Sequence, residues 1–258
     1  MNTADLDTAR LALACLDLTS LNDGDDAHAV AALCARAVTG HGAVAAVCVW
    51  PRFVAQARAA VPPSVRVAAV ANFPHGALDT AAALADAHVI ADSGGDEIDL
   101  VLPWRAWAQG RNIECAALVA AVRRAHPTLT LKLIVESGEL RDDALIASAS
   151  RMALDEGVDF LKTSTGKTPI SATPGAAQTM LSAIAAHPRR ASAGFKASGG
   201  IRSVADAAVY IALVRETLGD VTPQNFRIGA SSLLTDILAT LDGASAPQAP
   251  TVSSASPY

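Results

Sequence analysis

An α/β fold, a (β/α)8 TIM barrel in a single domain, is what this sequence predicts, on three observations. Short apolar runs alternate eight times with Ala-rich stretches of helical spacing. The starts of successive runs lie about 22 to 34 residues apart, room for one strand and one covering helix each. The 258 residues match the roughly 250 that such a barrel needs. A doubly wound open sheet is the competing arrangement, because it shares the alternation.

The apolar runs cover 12–18, 43–50, 65–73, 97–103, 129–136, 158–163, 191–197 and 225–230, bounded by Gly, Pro, Asn or Ser. Continuous apolar runs of this length read as strands buried on both faces. The helical stretches cover 27–38, 53–60, 78–91, 116–125, 143–155, 174–186, 204–218 and 233–241. Alanine, the best helix former, dominates them. Thr173 before Pro174 reads as a cap followed by proline at the first helical position. Asp155-Glu156-Gly157 ends one helix just before the next strand. The barrel is expected over 1–242. The Ala-, Ser- and Pro-rich segment 243–258, which ends in Tyr258, is expected to be a flexible tail.

Composition narrows function. Hydrophobic residues make up 51% and charged residues 17%, which excludes a disordered chain. The longest apolar run, 43–50, is far short of a membrane span. The net charge of −5 argues against a nucleic-acid partner. Residues 1–10 are polar and acidic and carry no secretory pattern, so a cytoplasmic location is expected. Cys15, Cys34, Cys48 and Cys115 lack metal-ligand spacing and read as buried free thiols, with no metal.

The basic residues carry the sharpest signal. Of 20, 16 are Arg and only four are Lys: Lys132, Lys162, Lys167 and Lys196. Lys132, Lys162 and Lys196 fall inside predicted buried strands or at their carboxyl ends, where a lysine needs a partner or a purpose. Lys167 follows in a Ser-Thr-Gly-Lys turn. A compositional preference for Arg would thin lysines too, but would leave most survivors on exposed helices. The chemical reading is that arginine stays protonated, whereas a desolvated lysine beside another cation can lose its proton and attack a carbonyl. Glu97 and Asp99 alternate onto one face of a strand, so Asp99 can pair with a lysine and shuttle protons. A structural ion pair of Asp99 with Lys132 alone is the bland alternative.

Three glycine clusters point to a phosphate. Ser164-Thr-Gly-Lys-Thr168 resembles the end of a nucleotide-binding P-loop, but Leu161 stands where that motif needs its first glycine. Ser198-Gly-Gly-Ile-Arg202 follows the seventh run, and Gly229-Ala-Ser-Ser232 follows the eighth and opens a helix. Loops after strands seven and eight of such barrels commonly hold phosphate at a helix N-terminus.

These stretches resemble the deoxyribose-phosphate aldolase family. The resemblance is carried by Leu16-Asp-Leu-Thr19, Ala46-Val-Cys-Val-Trp-Pro-Arg52, Asn72-Phe-Pro-His-Gly76, Asp96-Glu-Ile-Asp99, Leu131-Lys-Leu-Ile-Val-Glu136, Asp159-Phe-Leu-Lys-Thr-Ser-Thr-Gly-Lys167, Gly194-Phe-Lys-Ala-Ser-Gly-Gly200 and Phe226-Arg-Ile-Gly-Ala-Ser-Ser232. It implies a class I aldolase that reversibly cleaves 2-deoxy-D-ribose 5-phosphate to acetaldehyde and D-glyceraldehyde 3-phosphate. It makes Lys162 the Schiff-base lysine, Lys196 the second lysine that lowers its pKa, Asp99 the proton-transfer group and Lys132 its neighbour. Gly166, Lys167, Gly199, Gly200, Arg202, Ser231 and Ser232 would surround the phosphate. Asp17, Thr19, Asn22 and Cys48 would line the sugar pocket. Tyr258 occupies the place of a terminal tyrosine that assists proton transfer in one branch of the family. The resemblance implies no metal or organic cofactor, and it suggests a homodimer. The second-lysine stretch departs from that branch in reading Lys-Ala-Ser-Gly-Gly, where Lys-Pro-Ala is usual. Another Schiff-base aldolase and a non-catalytic sugar-phosphate-binding barrel remain alternatives.

Overall fold

The computed structural model describes residues 3–243. The expected tail, from residue 244 through Tyr258, lies outside the described residues.

Eight parallel strands close into one barrel: β1 (Leu16–Thr19), β2 (Ala46–Val49), β3 (Arg66–Ala71), β4 (Glu97–Val101), β5 (Thr130–Ile134), β6 (Phe160–Lys162), β7 (Gly194–Ser198) and β8 (Phe226–Ala230). Each strand pairs with its neighbours in sequence, and β8 closes on β1 with Leu16 opposite Ile228. This is the predicted (β/α)8 barrel, and the open sheet is excluded. Helices cover the outside because the strands' outward apolar side chains need a second layer. That layer is the main core, where Val47, Ile98, Leu133 and Phe195 meet Leu118, Leu154, Leu181 and Ile211.

Local chemistry starts the helices where the sequence indicates. Asp26, Asp79, Asp142 and Thr173 each cap a helix by accepting from a backbone N–H of its first turn. Ser203 and Asp206 form a reciprocal capping box.

Three expected strand starts shift by three or more residues, one of them because residues 191–193 form a turn before Gly194. The run 12–18 divides, because an amino-terminal helix Thr3–Ala14 runs through Ala12 to Ala14. Its buried residues Ala9, Ala12 and Leu13 have helical, not alternating, spacing and pack it against helices Val204–Leu218 and Leu233–Leu241. The run 43–50 also divides. Its first residue closes a two-residue antiparallel hairpin, Val38–Thr39 with Gly42–Ala43, and β2 starts at Ala46.

The lumen is unlike the aliphatic layers usual in such barrels. One side carries an apolar patch, where Cys48, Ala68, Val70 and Leu21 meet Trp50 and Phe73. The interior also holds seven charged side chains, Asp17, Glu97, Asp99, Lys132, Lys162, Lys196 and Arg227, all buried.

Candidate active site

Alternation along parallel strands puts these charges at two heights. Asp99 lies opposite Lys132 in register, and Lys162 opposite Lys196. Lys162 is the last residue of β6, so its amine comes from the carboxyl end of the barrel. Asp99 collects three lysines on two oxygens. Lys132 Nζ donates to Oδ1 at 2.8 Å, and Lys162 and Lys196 both donate to Oδ2 at 2.8 Å. The bland reading of an Asp99–Lys132 pair does not hold, because the carboxylate is shared. Lys196 Nζ also donates to Asp17 Oδ2 at 2.5 Å. Lys132 donates to Glu97. Arg227 donates to Asp17 at 2.7 Å and to Glu97 at 2.9 Å.

Burial disfavours every charge here, and the partners decide which survive. Burial raises the Asp99 carboxyl, but Lys132, Lys162 and Lys196 together overcome this and hold it well below the ordinary carboxylate value. Asp17 is likewise held below its ordinary value, chiefly by Lys196 and Arg227 working against desolvation. Lys132 and Lys196 are desolvated too, yet their carboxylates push them above the ordinary lysine value. Lys162 goes the other way. Burial lowers it, Asp99 opposes, the neighbouring Lys196 ammonium adds to the lowering, and the net shift is down. One buried amine among three is therefore biased toward its neutral, nucleophilic form.

A cavity of about 280 Å³ opens above this layer, lined in part by Thr19, Ser198 and Gly229. Each stands two residues beyond Asp17, Lys196 and Arg227 on its strand, so the cavity is the next layer up the same inner face. Its rim brings together Asn22, Gly166, Lys167, Gly199, Gly200, Arg202, Ser231 and Ser232, from four separate loops. Ser232 precedes helix Leu233–Leu241 without a side-chain cap, leaving that N-terminus open to an anion. The adjacent helix Val204–Leu218 has its N-terminus occupied by its own Asp206. Lys167 is partly exposed and lies 3.6 Å from Asp23. The turn carrying Lys167 does not open a helix, since the next one begins at Pro174, which removes the P-loop reading.

Two glycines are required by this architecture. Gly199 has φ +86°, and a Cβ there would sit 2.5 Å from Ser171. A Cβ on Gly229 would sit 2.7 Å from Ser198 Oγ and 3.0 Å from Lys196 Cε, filling the space between cavity and amine.

The sequence-predicted residues thus separate into two groups. Thr19 and Asn22 line the cavity with the phosphate candidates. Asp17 and Cys48 do not line it: Asp17 lies in the charged layer below, and Cys48 is fully buried on the apolar side of the lumen. Tyr258 lies outside the described residues.

Two residues of the site carry no expectation from sequence. Arg227 stands inside the apolar run Phe-Arg-Ile-Gly-Ala, the same signal that marks the lysines, but a count of lysines passes over it. Glu136 follows β5 in the left-handed region at φ 57°. Its carboxylate accepts from Thr165 Oγ1 at 2.6 Å, from Thr165 N at 3.2 Å and from Thr168 Oγ1 at 3.4 Å. It thereby holds the loop that carries Gly166 and Lys167. Nothing in the apolar run before it announces that turn.

The chain matches the model of the DeoC/LacD family of aldolases over residues 11–238. It is 46% identical over 243 residues to a deoxyribose-phosphate aldolase of Agrobacterium fabrum, covering 92% of this chain and 93% of that one. Among solved structures, it resembles the apo form of a Toxoplasma gondii protein assigned as a deoxyribose-phosphate aldolase. That likeness has a TM-score of 0.86 at 25% identity, over 95% of this chain and 100% of that one. It also resembles QR15, an aldolase, with a TM-score of 0.77 at 25% identity, over 90% and 96% of the two chains.

Proposed function

The chain belongs to the DeoC/LacD family of aldolases, and from that premise we propose that it is a deoxyribose-phosphate aldolase. It reversibly cleaves 2-deoxy-D-ribose 5-phosphate to acetaldehyde and D-glyceraldehyde 3-phosphate through a Schiff base on Lys162. The observation that carries this reading is the buried Lys162 amine, which shares one Asp99 oxygen with Lys196 beneath a cavity rimmed by Lys167, Arg202 and three glycines.

Neutral Lys162 attacks the C1 aldehyde of the open-chain sugar and forms a carbinolamine. Asp99, relaying through water, delivers the proton with which the oxygen leaves as water. The resulting iminium draws the electron pair of the C2–C3 bond into an enamine. The C3 hydroxyl gives up its proton and becomes the aldehyde of glyceraldehyde 3-phosphate. The enamine carbon then takes a proton, from water or from Tyr258, and hydrolysis returns Lys162 and acetaldehyde. The iminium is the electron sink, so this route calls on no metal or organic cofactor.

Gly166, Lys167, Gly199, Gly200, Arg202, Ser231 and Ser232 hold the phosphate, and Thr19 and Asn22 contact the sugar. Asp17 acts from below by holding Lys196. The reading places the enzyme in cytoplasmic deoxyribonucleotide catabolism as a homodimer. Among the described residues no helix is long and apolar enough to cross a membrane.

Aldehyde release from 2-deoxyribose 5-phosphate tests the substrate, with ketose phosphates and keto acids as comparators. Faster cleavage of deoxyribose phosphate supports the reading. Cleavage of the comparators alone overturns the substrate, and tight binding without any cleavage overturns the activity.

A further inference from the structure

The charged lumen is a closed ring. From Arg227 to Asp17, Lys196, Asp99, Lys132, Glu97 and back to Arg227, every step is a buried ion pair, and the charges alternate in sign. Three carboxylates face three cations in that circuit. Within 3 Å each carboxylate binds two ring cations and each cation two ring carboxylates, and Lys132 also lies 3.7 Å from Asp17 across the ring. Lys162 hangs outside it, on an Asp99 oxygen already engaged by Lys196. Were Lys162 also protonated, the lumen would hold four cations against three carboxylates.

We propose that Arg227 is a positioning residue for the aldolase reaction: it completes the interior charge balance, so that Lys162 is the buried amine left with one carboxylate partner, and that one shared. Arg227 does not reach the cavity. It enters from the opposite end, where its Nε donates to Pro223 O at 2.5 Å and its guanidinium lies 5.6 Å from the Phe160 ring. Its permanent charge suits the task, since arginine supplies a cation at any working pH. A lysine would bring a fourth amine into the lumen.

The other groups facing Lys162 leave this arithmetic unchanged. Cys48, across the lumen on β2, is a buried thiol pushed toward its neutral form. Glu136, beyond β5, is raised by burial and engaged by Thr165 and Thr168. The directions of shift agree with the count: ring amines and Arg227 move up, ring aspartates move down, and Lys162 alone among the cations of the lumen moves down.

The inference rests on the Schiff-base reading, and its test separates the two. The pH profile of kcat/KM for deoxyribose-phosphate cleavage is measured for the wild type, Arg227→Met, Glu97→Gln and the double variant. Arg227→Met leaves one carboxylate in excess, which the Lys162 ammonium can satisfy. Its acid limb is expected to move upward by about one pH unit, a loss of about tenfold on that limb that is recovered at higher pH. Glu97→Gln leaves one cation in excess and should move the limb downward. The double variant restores equal numbers and should return the limb to the wild-type position.

A uniform loss in Arg227→Met at every pH, or shifts of Arg227→Met and Glu97→Gln in the same direction, would overturn the charge-balance role. If Arg227→Met does not fold, the Glu97→Gln limb decides alone: a downward shift supports the proposal, and an unmoved or rising limb refutes it. A wild type that shows no cleavage would instead remove the aldolase reading beneath.

Discussion

Asp99 serves three amines with two oxygens, and the differences among those amines make the site reactive. Lys132 and Lys196 each have a second carboxylate, while Lys162 has only the shared oxygen. Replacing Asp99 by Asn should therefore act twice. It removes the proton-transfer group, lowering kcat by about 10²–10⁴-fold. It also leaves buried cations short of a partner, lowering stability by about 3–5 kcal/mol. Lys162→Met should separate the two effects: turnover and imine formation vanish, while thermal stability holds or rises, because a desolvated amine with only a shared partner is removed. Steady-state kinetics and thermal melts on both variants check this. A Lys162→Met protein that melts well below the wild type would contradict it. At this scale the sequence is most legible where it breaks its own pattern. A lysine inside an apolar run has to be explained, and three such lysines converge on one carboxylate. Arg227 breaks the pattern equally, but its part shows only once Asp17 and Glu97 are seen on either side of it. Glu136 is opaque for another reason, since its left-handed turn depends on the loop it anchors.

Among elements, the loops after β1, β6, β7 and β8 form the cavity rim, while strands β5, β6 and β7 hold the amines. Binding and chemistry should then be separable. Gly199→Ala, at the cavity rim, strains a φ of +86° and drives a Cβ into Ser171. KM for the sugar phosphate should rise about tenfold, equivalent to about 1.4 kcal/mol, with kcat changed far less. A fall in kcat alone would contradict the assignment of that loop to phosphate. The eight strands and their covering helices follow from periodicity and capping residues. The helix 143–155, with Asp142 before it, is found at its expected bounds. The two divided runs show what periodicity hides. Ala12 to Ala14 are apolar in either a helix or a strand, and only the spacing of Ala9, Ala12 and Leu13 favours the helix that packs on the closing elements.

For the whole molecule, the buried ring ties stability to pH. Asp17 and Asp99 have folded pKa values below their unfolded ones. Their contribution is complete above the ordinary carboxylate value of about 3.9 and is lost as pH falls toward the depressed folded values. Lys132 and Lys196 are raised, so their contribution is complete below the ordinary lysine value of about 10.4 and is lost as pH rises through the folded values. The midpoint of thermal unfolding should therefore fall steeply below about pH 4, whereas the lowered Lys162 makes stability decline as pH drops from the ordinary lysine value toward its folded value. A midpoint that stays unchanged below about pH 4 would show that the ring aspartates do not contribute. The homodimer is tested separately by light scattering, with a mass near twice 26.3 kDa expected.

The central claim is that Lys162, not the more exposed Lys167, is the nucleophile. Incubating the protein with acetaldehyde, reducing with borohydride and mapping the peptides tests it most directly. The account predicts one reduced two-carbon adduct, on Lys162, that is absent from Lys162→Met. An adduct on Lys167, or no adduct in an otherwise active enzyme, would contradict it.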